Sequence, residues 1–144
     1  NQSVLDIGTG GGLPGIVLAV LYPNSSFRLI DGKNKKINGV KDAIGRLSLA
    51  NATAGHERSE SVKTKFDVVT GRAVTGLDAF VQHSVQLLKK NGTIYYWTGG
   101  DLSRFLVYPK VDASFCIGGY LHDNYFSDKF IVKISKPAMD KMVF

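Results

Sequence analysis

The sequence predicts an α/β fold: a mostly parallel, seven-stranded sheet that ends in an antiparallel hairpin and carries helices on both faces. The first apolar segment leads into a glycine-rich turn at residues 8–12, which is typical of a strand followed by a helix in such folds. Candidate strands and helices then alternate through most of the chain, which favours parallel strands joined by helical crossovers. In the last third, two strand candidates follow one another with little helix between them, which favours a hairpin.

The individual elements follow from the spacing of apolar residues. The nearly continuous apolar run at 16–22 predicts a helix pressed against the sheet, and an amphipathic pattern from Lys35 onward predicts a second helix. Asn91-Gly92 predicts a turn before the fifth strand. The third helix is marked by Leu77, Phe80, Val81, Val85 and Leu88. The predicted strands cover residues 4–7, 27–30, 52–56, 66–70, 93–97, 114–117 and 130–134.

Composition and charge restrict the class of protein. The chain has 144 residues, a net charge of +6 and one cysteine, Cys116, which we expect to be a buried strand residue. A single cysteine excludes an internal disulfide, and three scattered histidines leave no metal-ligand spacing. The positive charge suits RNA or DNA as well as simple solubility. We predict one domain over residues 1–144, without a metal or a membrane segment, favoured as a monomer in the cytoplasm or an organelle.

The strongest functional signal is the segment that follows the first strand, Asp6-Ile7-Gly8-Thr9-Gly10-Gly11-Gly12-Leu13-Pro14-Gly15. Its glycines allow a sharp bend and let a ligand approach the backbone N–H groups closely. An acid two residues before the first glycine suits S-adenosylmethionine, whose ammonium and carboxylate groups need polar partners. The segment also satisfies a dinucleotide fingerprint, in which Asp31 would meet a ribose hydroxyl. The glycines leave both ligands open, whereas the closing hairpin favours methyl transfer.

Two carboxylates have competing interpretations. Asp31 ends the second strand at the edge where open α/β sheets bind ligands, and would accept hydrogen bonds from both ribose hydroxyls. Alternatively, it caps the helix that begins near Asn34. Asp6 either binds the ammonium group of a cofactor, directly or through water, or braces the turn by accepting backbone N–H bonds.

Several segments occur in one order that resembles a known family. They are Gly8 to Gly15, Asp31 with Lys35-Lys36, His56-x-Arg58-Ser59-Glu60, and Phe66 to Val74. They are similar to segments of the bacterial small-subunit rRNA guanine-N7 methyltransferase, also called glucose-inhibited division protein B. The resemblance covers about residues 3–100 well and the end of the chain only loosely. It implies a Rossmann-like class I fold that uses S-adenosyl-L-methionine.

The resemblance also implies a substrate and a set of site residues. The substrate would be a guanine N7 in small-subunit rRNA, free or in a ribosomal particle, and its lone pair needs no general base. Gly8, Leu13, Ser59, Glu60 and Arg72 correspond to cofactor-binding positions of the family, and the glycine turn adds Gly10 and Asp31. Arg72 would hold the methionine carboxylate or a phosphate, or else form an ion pair with Asp67 or Asp78. The lysines at 33, 35, 36 and 41 either contact rRNA phosphates or form a solvated face.

Three departures from the family pattern keep other functions open. Thr98 stands where the family usually has a lysine, and Gly71 stands where it commonly has a serine. The family's N-terminal helical region, which precedes the first strand, is also absent from this sequence. One alternative is therefore a catalytically degenerate ribosome-assembly or rRNA-binding module of the same fold. A less favoured alternative is a fragment of an NAD(P)-binding oxidoreductase.

Overall fold

The computed structural model describes residues 1–72, 76–101 and 111–136, and seven strands of these ranges form one sheet. The strands are β1 (Ser3–Ile7), β2 (Ser26–Asp31), β3 (Ala52–His56), β4 (Phe66–Arg72), β5 (Leu88–Gly99), β6 (Ala113–Cys116) and β7 (Lys129–Ser135). Their order across the sheet is β3-β2-β1-β4-β5-β7-β6. The first five are mutually parallel, and β7 runs antiparallel to both of its neighbours. The predicted fold class, including the closing hairpin, is confirmed.

Helices cover both faces of the sheet. They are α1 (Gly15–Leu21), α2 (Asn34–Arg46), α3 (Leu77–Val85) and the short α4 (Gly118–Leu121), with single 3₁₀ turns at Ser59–Ser61 and Asn124–Phe126. Successive side chains of a strand point to opposite faces, so β1 and β2 each contribute to two separate cores. Leu5 packs in the core that includes Phe80 of α3, whereas Val4 packs in the core that includes Ala19 of α1 and Val40 of α2.

The apolar helix α1 is only partly pressed against the sheet. Gly15 and Ala19 are its buried residues, whereas Val17, Val20 and Leu21 are about half exposed or more. A run that is apolar on every side does not specify which stripe of the helix faces the core. The prediction that the helix packs against the sheet therefore holds for one face, and the other face is exposed. Beside it lies an open apolar groove of about 490 Å³, lined in part by Leu18, Phe27, Tyr95, Trp97 and Phe115.

The fifth strand begins earlier than the sequence predicts. Leu88, predicted as helical, pairs with Phe66 in the sheet, and the register then shifts so that Thr93 pairs with Val68. Asn91-Gly92 therefore lies in an irregularity within β5 instead of in a turn before it, because the backbone on both sides still finds partners on β4. Cys116 is also only half-buried, since β6 is an edge strand.

No helix in the described ranges combines the length and apolar character that crossing a bilayer requires. The other predicted strands and helices begin and end within two residues of their predicted bounds, whereas α4 and the two 3₁₀ turns were not predicted.

The buried side chains of β1 should contribute strongly to stability. Leu5→Ala removes a side chain that is 0% exposed and leaves a cavity between β1 and α3, so we expect a loss of about 2–5 kcal/mol in the free energy of unfolding. The matched control is Leu21→Ala, at a leucine that is 64% exposed and should change stability by less than about 0.5 kcal/mol. Urea unfolding of both variants checks this; equal losses would contradict the assignment of the core.

Candidate functional site

A cleft of about 230 Å³ lies at the carboxyl ends of β1, β2 and β3. Parallel strands end at one edge of a sheet, so the segments that follow them meet there, which is where open α/β sheets bind ligands. The residues that line the cleft come from these segments and from α3. They are Ile7, Gly8, Ile30, Asp31, Gly32, Glu57, Arg58, Ser59, Glu60, Phe80 and His83.

The structure brings four of the seven predicted site residues onto this cleft, namely Gly8, Asp31, Ser59 and Glu60. Gly10 adjoins it through its N–H, which donates to Asp31 Oδ2 at 3.0 Å. Leu13 lies on the glycine turn with its side chain 46% exposed, and Arg72 is exposed at the end of β4. These last two do not line the cleft.

Asp6 braces the glycine turn. Its Oδ2 accepts hydrogen bonds from the Thr9 hydroxyl at 2.7 Å and from the Gly15 N–H at 3.0 Å. The side chain is almost fully buried, and its Oδ1 has no hydrogen-bond partner among the described residues. Burial raises the pKa of this carboxyl from 3.8 to about 6, against the lowering effect of its hydrogen bonds and of the Arg72 charge. The bracing interpretation of Asp6 is confirmed.

Asp31 ties the second strand to the glycine turn. Besides the bond from Gly10, its Oδ1 accepts from the Lys33 N–H at 2.9 Å. The residue that caps α2 is Lys33, so the interpretation of Asp31 as the helix cap was wrong. Asp31 is the last residue of β2, and its carboxylate accepts from the N–H two residues later in the chain, which is an Asx turn. Each carboxylate oxygen has more than one acceptor site, so further donors can be accommodated.

The glycines of the turn serve two different needs. Gly8, Gly10 and Gly12 have φ values of +66°, +61° and +95°, a conformation that side chains rarely adopt. Gly15 instead leaves room: a Cβ there would lie 2.7 Å from Asp6 Oδ2 and 2.7 Å from Leu29. The turn can therefore pass close to the sheet edge while Asp6 holds it.

The opposite wall of the cleft is the chain after β3. Glu57 is anchored by Arg28, whose Nη2 lies 2.7 Å from Glu57 Oε1. Arg58 passes over Gly32, where a Cβ would meet its side chain at 3.9 Å. The pKa of Glu60 is lowered by a hydrogen bond from its own backbone, with smaller contributions from the charges of His83 and Arg58. Glu60 therefore presents an ionised carboxylate at the cleft.

Sequence reasoning missed the contribution of α3. Phe80 and His83 both line the cleft, although in the sequence Phe80 served only to mark the third helix and His83 only as one of the scattered histidines. Their three-residue spacing on a helix that follows β4 was the available signal, because such residues share one helix face. A Cβ at Gly71 would lie 2.5 Å from the Phe80 ring, which accounts for glycine at the position where the family commonly has serine.

Arg72 is not paired with Asp67. Asp67 Oδ2 instead accepts from Lys89 Nζ at 2.8 Å and from the Ser3 N–H at 2.7 Å, which lowers the pKa of Asp67 to about 2. Ala73 and Val74, the end of the matching segment, lie outside the described residues. In the described ranges, no three His, Cys, Asp or Glu side chains stand together as a metal-binding group.

Alanine substitutions at Gly15 and Gly11 should show how much the close contact at Gly15 matters for stability. Gly15→Ala forces a methyl group against Asp6 and Leu29, so we expect a loss of about 1–3 kcal/mol in the free energy of unfolding. Gly11→Ala is the control, because a Cβ there meets nothing within 4 Å, and it should be nearly neutral. Urea denaturation measures both; a neutral Gly15→Ala would disprove the tight contact.

Asp6 should also leave a signature in the pH dependence of stability. Its pKa of about 6 in the folded chain exceeds the ordinary value of 3.8, so its contribution to stability is fully present below pH 3.8 and is lost as the pH rises to about 6. Asp6→Asn cannot titrate. The stability of the wild type relative to Asp6→Asn should therefore fall by about 2 kcal/mol between pH 4 and pH 7, and chemical denaturation at each pH measures this change. A constant difference would contradict the raised pKa.

The chain is similar to curated relatives from two bacteria. It is 40% identical over 143 residues to the ribosomal RNA small subunit methyltransferase G of Flavobacterium johnsoniae, across 93% of this chain and 67% of that protein. It is 46% identical over 104 residues to the protein of the same name from Chlorobaculum tepidum, across 72% of this chain and 48% of that protein. This chain thus spans about half to two thirds of the length of these relatives.

The fold is similar to that of a solved methyltransferase. The M. jannaschii tRNA m1G37 methyltransferase matches with a TM-score of 0.72 and 16% identity, over 94% of this chain and 44% of that one, which indicates a shared Rossmann-like fold. The sequence profile of the family described as GidB, rRNA small subunit methyltransferase G, matches residues 1–107. This match and the identity with curated relatives show that the chain belongs to the rRNA small subunit methyltransferase G family.

Proposed function

We propose that this chain transfers a methyl group from S-adenosyl-L-methionine to N7 of a guanine in small-subunit rRNA. The observation that carries the proposal is the glycine turn, braced by Asp6 and joined to Asp31, at the mouth of a cleft in a chain of this family. Family membership also argues against the oxidoreductase alternative. We place the activity in the cytoplasm, on ribosomal RNA or particles, with the chain acting as a monomer.

The site residues fit a cofactor that combines a nucleoside with an amino acid. Asp31 can accept hydrogen bonds from the ribose hydroxyls with the acceptor sites that Gly10 and Lys33 leave open. Ser59 and Glu60 line the part of the cleft that suits the adenine. The buried Oδ1 of Asp6, which has no partner in the described chain, suits a donor such as the cofactor's ammonium group, reached directly or through water.

Gly8, Leu13 and Arg72 complete the proposed binding set. Gly8 lets the cofactor approach the backbone where β1 ends, and the exposed side chain of Leu13 provides an apolar contact from the same turn. Arg72 lies at the end of β4, near enough to influence the pKa of Asp6, and its planar guanidinium suits the methionine carboxylate.

In the proposed reaction, these residues bind the cofactor and align its methyl group with guanine N7. The cofactor supplies an electrophilic methyl group on a sulfonium ion. Guanine N7 carries a lone pair without deprotonation, so no side chain has to remove a proton. Holding two reactants at near-attack distance accounts for up to about 7–11 kcal/mol of a barrier in favourable models. We accordingly assign no catalytic acid or base to this chain.

Exposed lysines support contact with RNA at the same edge. Lys33, Lys35 and Lys36 lie at the start of α2, and within the described ranges no carboxylate oxygen lies within 4.0 Å of their ammonium groups. Lys36 Nζ lies 3.9 Å from the place where a Cβ on Gly10 would stand. Unneutralised cations beside the glycine turn suit RNA phosphates, which such side chains bind by charge.

Thr98 favours a second candidate, an rRNA-binding module that has lost activity. It lies near the end of β5, where it pairs with Phe130 and cannot supply the positive charge of the family's usual lysine. This candidate would bind ribosomal particles without methyl transfer.

Calorimetric titration with S-adenosylmethionine tests the cofactor assignment. Asp31→Ala should weaken binding by more than about tenfold, because charge-assisted hydrogen bonds to the ribose are lost. Asp42→Ala is the control: this exposed carboxylate pairs with Arg46 on α2 and should leave affinity unchanged. Equal affinities of wild type and Asp31→Ala would contradict the role of Asp31.

Methylation of small-subunit particles separates the two candidates. Incubation with labelled cofactor below saturation, followed by mass spectrometry of rRNA nucleosides, should yield 7-methylguanosine, which Asp31→Ala should form more slowly because it binds the cofactor less tightly. Particle binding without product would favour the degenerate module. A wild type that binds neither ligand would contradict both.

A further inference from the structure

His83 lies at the end of the cleft, on the wall that no sequence motif identified. Together with Ser59 and Glu60, it borders both the cleft and a second cavity of about 290 Å³. These three residues therefore separate the two cavities. Gly8 and Asp31, where the ribose is proposed to bind, line the cleft but not the second cavity. A purine joined to that ribose would extend toward His83.

The helix α3 holds His83 in a fixed position. Phe80, one turn earlier on the same face, is 2% exposed, and its ring centroid lies 4.9 Å from that of Tyr96. Gly71 lets this ring approach the backbone of β4 closely. Because Phe80 is packed from two sides, the exposed imidazole one turn later is presented at the rim of the cleft.

The interior of the cleft is suited to the faces of a purine. Ile7, Ile30 and Phe80 are all buried apolar residues that line it. They offer no hydrogen bonds, so the polar edge of the purine has to find its partners elsewhere. Glu60 and His83 provide those groups at the end wall.

Glu60 and His83 form a complementary acceptor and donor. Glu60 is an ionised carboxylate and accepts only, whereas the imidazole of His83 carries a ring N–H donor in either protonation state. The two are near enough for the charge of His83 to act on the Glu60 carboxyl. Adenine presents an amino donor next to a ring-nitrogen acceptor, N1 on one side and N7 on the other. An acceptor beside a donor matches either of these edges.

We propose that His83 binds the adenine of the cofactor by donating its ring N–H to a purine nitrogen, while Glu60 accepts from the neighbouring amino group. His83 is thus a specificity-determining residue for the nucleoside of the methyl donor. This inference rests on the proposed function, because it assumes that the cleft takes the adenosine part of S-adenosylmethionine.

The test is a binding cycle on the full chain with S-adenosylhomocysteine and two analogues that lack N1 or N7 of the adenine. His83→Ala should weaken binding of S-adenosylhomocysteine by about three- to tenfold, as expected for one hydrogen bond. The analogue that lacks the contacted nitrogen should bind wild type weakly by the same factor, and His83→Ala should not distinguish it from S-adenosylhomocysteine. His83→Gln, which retains an N–H donor, should recover part of the affinity.

Gln82→Ala is the matched control, because Gln82 is an exposed neighbour on α3 that does not line the cleft. It should bind all three ligands as the wild type does. If His83→Ala binds S-adenosylhomocysteine within twofold of wild type, or still discriminates against both analogues, the inference is overturned and the proposed function stands. If wild type does not bind S-adenosylhomocysteine, both are overturned.

Discussion

The site depends on one buried carboxylate. Asp6 joins the end of β1, the glycine turn and the first residue of α1, because one of its oxygens accepts from Thr9 and from Gly15. Burial of a carboxyl group is unfavourable, and the raised pKa of Asp6 reflects that cost. The hydrogen bonds offset part of it and hold the turn in a conformation that glycines with positive φ permit. Gly8 and Gly10 are thereby placed at the cleft and at Asp31.

The alternation of side chains along the strands explains why the site lies at an edge. Leu5 packs toward α3 and Val4 packs toward α1 and α2, so both faces of the sheet centre are covered. In a parallel sheet the carboxyl ends of the strands lie at one edge, which is where the cleft opens. The cleft is therefore built mostly from connecting segments, while the strands fix where those segments begin.

At the edge of the sheet that carries the cleft, some charged side chains are paired within the protein and others remain available to a ligand. Asp31 accepts backbone N–H groups, and Glu57 is neutralised by Arg28, so both carboxylates help to fix the loops they belong to. Glu60 faces the cleft as an ionised acceptor, and the lysines that begin α2 remain exposed. The carboxylate of Glu60 is thus available to hydrogen-bond donors of a small ligand. The exposed lysines are available to an anionic macromolecule.

The sequence by itself determined the features that depend on neighbouring residues. The order of strands and helices, the glycine turn, and the placement of Asp31 and Ser59-Glu60 after their strands follow from hydrophobic period and local motif. Only the tertiary structure decided the outward side of α1, the irregular start of β5 and the presence of His83 in the cleft. These depend on which distant segment packs against a residue, and residues that are remote in sequence carry no local signal of that contact.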